Sequence, residues 1–271
     1  MMLEKLIESG LLRQFKGRCI DDATDVSLPL VLDEKSSQIE VKTEHRVQLI
    51  VCHETALPSA ITLRLAPYAK VSITDIYNAE KYASMTIEQA ESSECKVVQL
   101  LVGGAHTTYE ILLNGRGAES VLYGAMVASG RMHASTKVTT RHLVADCKSN
   151  TIVKSVAKDR ATAEFKGLVY VAQDAQRTDA KQLNRNIELG NGRVYSEPQL
   201  EIYADDVKCS HGSTVGQLDE QALYYMRQRG IPQEQAERLM LEGFVGDVVA
   251  KCDIEPLAEL LCEALQKRLN E

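Results

Sequence analysis

The chain has 271 residues, enough to bury a core as one extended domain or as a core with a small appendage. Its 38 Asp and Glu residues outnumber 31 Lys and Arg, for a net charge of −7. This acidic balance lacks the clustered cations that a phosphate backbone requires and argues against nucleic acid as a partner. No apolar run reaches the length of a membrane span. The first residues interleave Glu4, Lys5, Glu8 and Arg13 with apolar ones, unlike a signal peptide, so the expected location is the cytoplasm with no membrane partner.

Seven cysteines are present, Cys19, Cys52, Cys95, Cys147, Cys209, Cys252 and Cys262. Their odd number, wide spacing and lack of any Cys-x-x-Cys pair fit free thiols in a reducing compartment, and give no support to a structural zinc site. Aromatic residues make up only 5% with no Trp, which suits a repetitive core of stacked aliphatic side chains.

Met1 to Phe15 reads as a short amphipathic helix with Leu3, Leu6, Ile7 and Leu11 on one face. From about Leu28 to Val207 short alternating runs dominate, among them Val47-x-Leu49-x-Val51, Ile61-x-Leu63-x-Leu65, Tyr109-x-Ile111-x-Leu113 and Phe165-x-Gly167-x-Val169-x-Val171. Period-two alternation is the strand signal, and Gly103-Gly104, Asn114-Gly115, Gly130 and Gly190-Asn191-Gly192 punctuate it. Many short, evenly spaced strands fit either a sandwich or a solenoid. Asn114-Gly115 favours a local antiparallel hairpin. Lys154, Lys181 and Arg185, alternating with small or apolar residues, favour rungs that each expose one side.

The period then changes to helical. Asp219 is placed to cap a helix carrying Leu218, Ala222, Tyr225 and Met226, with Gly230 just past its end. Pro232 opens a second helix through Ala236, Leu239 and Met240 that Gly243 is expected to stop. Pro256 opens a third, with Leu257, Leu260, Leu261, Ala264 and Leu265 in one stripe. The expected organisation is a lead-in over 1–27, a β core over 28–215 and a helical subdomain over 216–271.

The stretch from Glu197 to Gly230, and within it Ala204-Asp205-Asp206-Val207-Lys208-Cys209-Ser210-His211-Gly212, resembles the C-terminal signature of the SufB/SufD family of iron–sulfur cluster assembly proteins, on the SufD side. Arg229-Gly230-Ile231-Pro232 and Glu242-Gly243-Phe244 are similar to that family's continuation. The resemblance implies a mainly β fold, a right-handed parallel β-helix with a short N-terminal helix and a C-terminal helical cap. It also implies a non-enzymatic scaffold that works with a SufC-type ATPase docked on the C-terminal helices, and β-helix pairing with a SufB-type subunit. Only 27 residues precede the β region here, whereas family members carry a longer helical N-terminal region, so pairing with a second copy of the chain is the alternative.

Cys209 and His211 are two residues apart, so an extended strand presents both on one face. Thiolate and imidazole both ligate iron. Taken alone this spacing is weak evidence and fits better a small packed cysteine beside an incidental histidine. The resemblance assigns both positions to cluster binding, with the cluster as transient cargo and none tightly held by the isolated chain. Asp205 and Asp206 read as solvated turn residues, His133 and His142 as surface histidines, Cys147 as an accessible turn cysteine, and Cys252 and Cys262 as packing residues. Gly103-Gly104 has no Lys-Ser/Thr after it and reads as a turn, so no ATP hydrolysis by the chain itself is expected. Two rival readings remain: a purely structural subunit without cluster ligands, and a carbohydrate-active β-helix enzyme.

Overall fold

Alternation of buried and accessible residues runs the length of strand after strand, as it must where successive coils stack and every second side chain points inside. The computed structural model describes residues 3–35 and 37–270. In chain order, α1 (Glu4–Glu8) precedes β1 (Arg13–Gln14), β2 (Cys19–Ile20), β3 (Leu30–Leu32), β4 (Ser37–Val41), β5 (Arg46–His53) and β6 (Ser59–Leu65). Next come β7 (Lys70–Tyr77), β8 (Tyr82–Gln89), β9 (Glu94–Leu101), β10 (His106–Leu113), β11 (Glu119–Ala128) and β12 (His133–His142). The last coils are β13 (Lys148–Ala157), β14 (Thr162–Val171), β15 (Thr178–Glu188), β16 (Arg193–Ile202) and β17 (Val207–Gly216), followed by α2 (Glu220–Gln228), α3 (Gln233–Val249) and α4 (Glu255–Asn270).

The odd-numbered strands form one nine-stranded sheet and the even-numbered strands one eight-stranded sheet, with every pairing parallel. Each coil therefore gives one strand to each sheet, and the fold is a parallel β-helix rather than a sandwich. Its interior is a column of apolar side chains, including Leu49, Leu63, Ile73, Ile87, Val97, Tyr109, Ile111 and Phe165. The two strand types differ for a physical reason. β14 alternates along its whole length, whereas the second half of β13, Val153 to Ala157, is buried on both faces because helices cover the outside of the odd sheet. There Val98, Leu100, Val127 and Val156 meet Leu241, Val245, Val248, Leu257 and Leu261 of α3 and α4.

Asn114-Gly115 is not a hairpin turn. It is a corner between β10 and β11, which lie in different sheets. Both of its backbone N–H groups donate to the Gln89 carbonyl of the coil before it. A Cβ on Gly115 would stand 1.9 Å from the Glu91 nitrogen, so the glycine is there because successive corners stack too closely for a side chain.

Asp219 caps α2 through its carboxylate, which accepts from the backbone N–H groups of Gln221 and Ala222, and Gly230 follows that helix at φ +88°. Gly243 does not stop α3, which continues through it and Gly246 to Val249. Burial of Leu241, Val245, Val248 and Val249 outweighs a glycine penalty of about 1 kcal/mol. At the N-terminus only Glu4–Glu8 is helical and Arg13 is already in a strand; residues 1 and 2 of the expected helix lie outside the described residues. Among the described residues, no helix is long and apolar enough to cross a membrane.

Candidate functional site

The β-helix ends in the coil made by β16 and β17, each the last strand of its sheet, so one edge of each has no neighbouring strand. Cys209 and His211 are both on β17. In the parallel register Cys209 stacks on Ala180 and His211 on Gln182, and both of those β15 residues are buried inside the coil. The two site residues thus continue interior rows onto a coil with no strand above it. Cys209 is half-buried against the small apolar cluster of Val169, Val171, Ala175 and Ala180, whereas His211 is exposed. Burial pushes the Cys209 thiol up from its ordinary value, with the neighbouring Asp179 charge adding to the rise and a backbone hydrogen bond at Ala180 opposing it.

Around this pair the terminal coil is polar inside. Ser213 and Ser196 hydroxyls lie 2.7 Å apart and bridge β17 to β16. One coil below, Asn184 donates to the Val153 carbonyl, and Asn186 donates to the Thr214 carbonyl of β17. Tyr195, Ile202 and Val215 are exposed on these two strands, and Tyr203 in the turn that joins them. Pro198 fits its place in β16, since an edge strand tolerates the missing donor. Asp205 and Asp206 sit exposed in the turn between β16 and β17, as the sequence suggests.

The remaining expectations divide. Cys147 is not accessible but fully buried, its Sγ 3.3 Å from the Gly115 carbonyl; the more accessible neighbour at that corner is the half-buried Asp146, at φ +65°. Hydrogen bonds from Arg177 first, and from Arg116, hold the Asp146 carboxyl down at about 2 despite partial desolvation. His142 is not a surface histidine. It is fully buried, bonded through Nε2 to Ser149 Oγ at 2.8 Å, and desolvation pulls it down to about 4. His133 is exposed, with Glu164 3.8 Å away. Cys262 is exposed rather than packed, while Cys252 packs against the helical cluster. Lys154 does not lie on an exposed rung face; α3 covers it. Cys52 and Cys95 are pushed up to about 12 by burial, which makes both poor nucleophiles.

Sequence reasoning missed a second polar cluster, deep in the first coils. Asp75, fully buried, accepts from the Tyr77 and Tyr109 hydroxyls and pairs with His53 Nε2 at 2.9 Å. Lys81, also buried, donates to Glu34 at 2.8 Å, and Glu34 stands 3.8 Å from His53 Nδ1. These residues come from five separate strands and turns, so only the coil register brings them together. Among the described residues, no group of three or more His, Cys, Asp or Glu side chains is placed to hold a metal ion.

The family model described as "SUF system FeS cluster assembly, SufBD core domain" matches residues 27–244. The chain is 34% identical to the iron–sulfur cluster assembly protein SufD of Escherichia coli over 184 residues, covering 66% of this chain and 43% of that protein. It is 32% identical to an iron–sulfur cluster assembly SufBD family protein of Mycobacterium leprae over 277 aligned positions, covering 94% and 71%. It is also 32% identical over 147 residues to SufD of Bacillus subtilis, covering 53% and 34%. The chain thus spans less than half the length of either SufD protein.

Proposed function

Because this chain belongs to the SufBD core family of SUF-system iron–sulfur cluster assembly proteins, we propose that it is a non-catalytic scaffold subunit whose terminal coil holds a nascent cluster as cargo. The observation that carries this reading is the placement of Cys209 and His211 in adjacent interior rows of the C-terminal coil, whose strands each have a free edge. A thiolate and an imidazole supply two donors, and tetrahedral iron takes four. The others come from sulfide and from a second β-helix that pairs edge to edge with β16 or β17. That partner is a SufB-type subunit or a second copy of this chain. Unpaired strand edges favour such pairing, and the exposed Tyr195, Tyr203 and Val215 give it apolar area.

In this reading the C-terminal helices dock a SufC-type ATPase. The support is the division of labour within them: α3 and α4 spend one face on the odd sheet, while Tyr224, Tyr225 and Leu239 are left exposed. The cytoplasm, where thiols stay reduced, suits the chemistry.

Anaerobic incubation of the chain with ferrous iron and sulfide, with and without a SufB-type partner, tests the site. Cys209→Ser and His211→Ala are expected to lower iron and sulfide retained per chain. The purely structural reading draws on the packing of Cys209 against Ala180 and Val169. It is upheld instead if Cys209→Ser lowers the thermal midpoint and leaves iron and sulfide retention unchanged.

A further inference from the structure

Three glutamines are buried inside the β-helix, Gln89, Gln99 and Gln182. Gln89 Nε2 donates to the carbonyls of Ser93 and Glu119. Gln99 Nε2 donates to the hydroxyls of Thr107 and Thr136 at 2.8 and 2.9 Å. Gln182 is only 3% exposed, yet among the described residues its Nε2 has no acceptor. It is also the one of the three that lies directly beneath a site residue, since its register partner on β17 is His211.

The chain makes specific room for this amide. Gln182 reaches across the coil from β15 to β14, where Gly167 faces it. A Cβ on Gly167 would stand 2.3 Å from Gln182 Oε1 and 2.6 Å from Nε2. Filling the coil is a task for Leu or Met, which carry no N–H to desolvate. A buried donor without an acceptor carries a desolvation penalty that packing alone does not explain. Neighbouring amides do not relieve it, because the Asn184 oxygen accepts from Asn186 and, among the described residues, the Asn186 oxygen accepts no hydrogen bond.

We infer that the Gln182 side-chain amide is a hydrogen-bond donor for anionic sulfur, thiolate or sulfide, held at the Cys209–His211 rung. This rests on the reading of that rung as the cluster-holding site. Gln182 is a positioning residue in it, not an iron ligand. Hydrogen bonds to sulfur stabilise the anion and tune the bound iron.

The test uses the full chain loaded anaerobically with ferrous iron and sulfide. Gln182→Leu is expected to raise the ferrous iron concentration for half-occupancy about tenfold, the lower end for outer-shell partners. It is also expected to shift the sulfur-to-iron charge-transfer absorption without lowering the thermal midpoint. Gly167→Ala, which displaces the amide and alters no polar group, should shift occupancy and absorption in the same direction. Unchanged occupancy and absorption in both variants, beside a loss in Cys209→Ser and His211→Ala, overturns the inference and leaves the site standing. If all four variants load like the unaltered chain, the site reading falls and the inference with it.

Discussion

Lys154 Nζ donates to the Asp247 carboxylate at 2.6 Å and to the Phe244 carbonyl at 2.8 Å, tying β13 to α3 across an otherwise apolar contact. The ammonium also lies 4.8 Å from the Phe244 ring centroid. Lys154 is nearly buried while Asp247 is more than half exposed, so water screens one end of the pair and not the other. This charged contact, surrounded by Val127, Val156, Val245 and Val248, registers the helices on the odd sheet together with Lys158 Nζ on the Leu269 carbonyl of α4 and Lys96 Nζ on the Lys251 carbonyl.

Lys154→Ala is therefore expected to destabilise the protein by roughly 1.5–3 kcal/mol, the range for losing hydrogen bonds to a charged group, together with the packing of its stem. Lys154→Met, which keeps the stem but not the donor, should recover only the share owed to packing of the stem. Denaturant titration of the three proteins checks it, and a Met variant as unstable as the Ala variant places the effect in the charge rather than in packing.

Two glycines should respond to the same substitution with opposite signs. Gly115→Ala drives a methyl into the Glu91 backbone and is expected to destabilise by about 1–3 kcal/mol or more, because stacked corners have nothing flexible to yield. Gly243→Ala meets nothing within 4 Å inside α3 and is expected to stabilise by about 0.5–1 kcal/mol. Melting temperatures of both variants measured side by side decide the matter.

These glycines also show what was legible in the sequence. The strands could be read because alternation is local, and so could the capping by Asp219 and the turn at Asp205-Asp206. Asn114-Gly115 misled because its local turn preference is real, but the coil spacing that governs it is set by Glu91, one coil away. His142 and Cys147 misled for the same reason: their neighbours Arg141 and Asp146 look like surface residues, and burial depends on phase. Cys209 and His211 were visible through a contiguous signature. Gln182 was not, because an interior polar residue on β15 gains meaning only when the register sets it beneath His211.

Edge pairing of the terminal coil makes its own demand. Light scattering at micromolar concentration is expected to show a dimer, or a monomer that becomes a heterodimer when a SufB-type partner is added. Val215→Lys and Tyr195→Lys should weaken either assembly, since lysine on a free edge opposes strand addition, and both positions are exposed, which limits the effect on folding. Pairing that survives both substitutions would move the interface away from β16 and β17.

The pH dependence of stability should carry the signature of His142. Desolvation holds this buried imidazole at about 4, well below its ordinary value of 6.5, and among the described residues its Nδ1 has no hydrogen-bond partner to favour a second proton. Above about pH 6.5 the ring is neutral in both folded and unfolded chains, and its contribution to stability is fully present. Between 6.5 and 4 the unfolded chain takes up a proton that the folded chain refuses, so stability falls as pH falls. Each pH unit in that window removes about 1.4 kcal/mol, for a total of roughly 3 kcal/mol. Carboxylates titrate near the lower end of the window too, so the difference between proteins carries the information. His142→Gln keeps a partner for Ser149 but has nothing to protonate. Its unfolding free energy should decline less steeply from pH 6.5 to 4.5, by about one proton's worth of slope. Parallel curves for the two proteins would mean that the folded state accommodates the charged ring, and that His142 is not the buried neutral group described here.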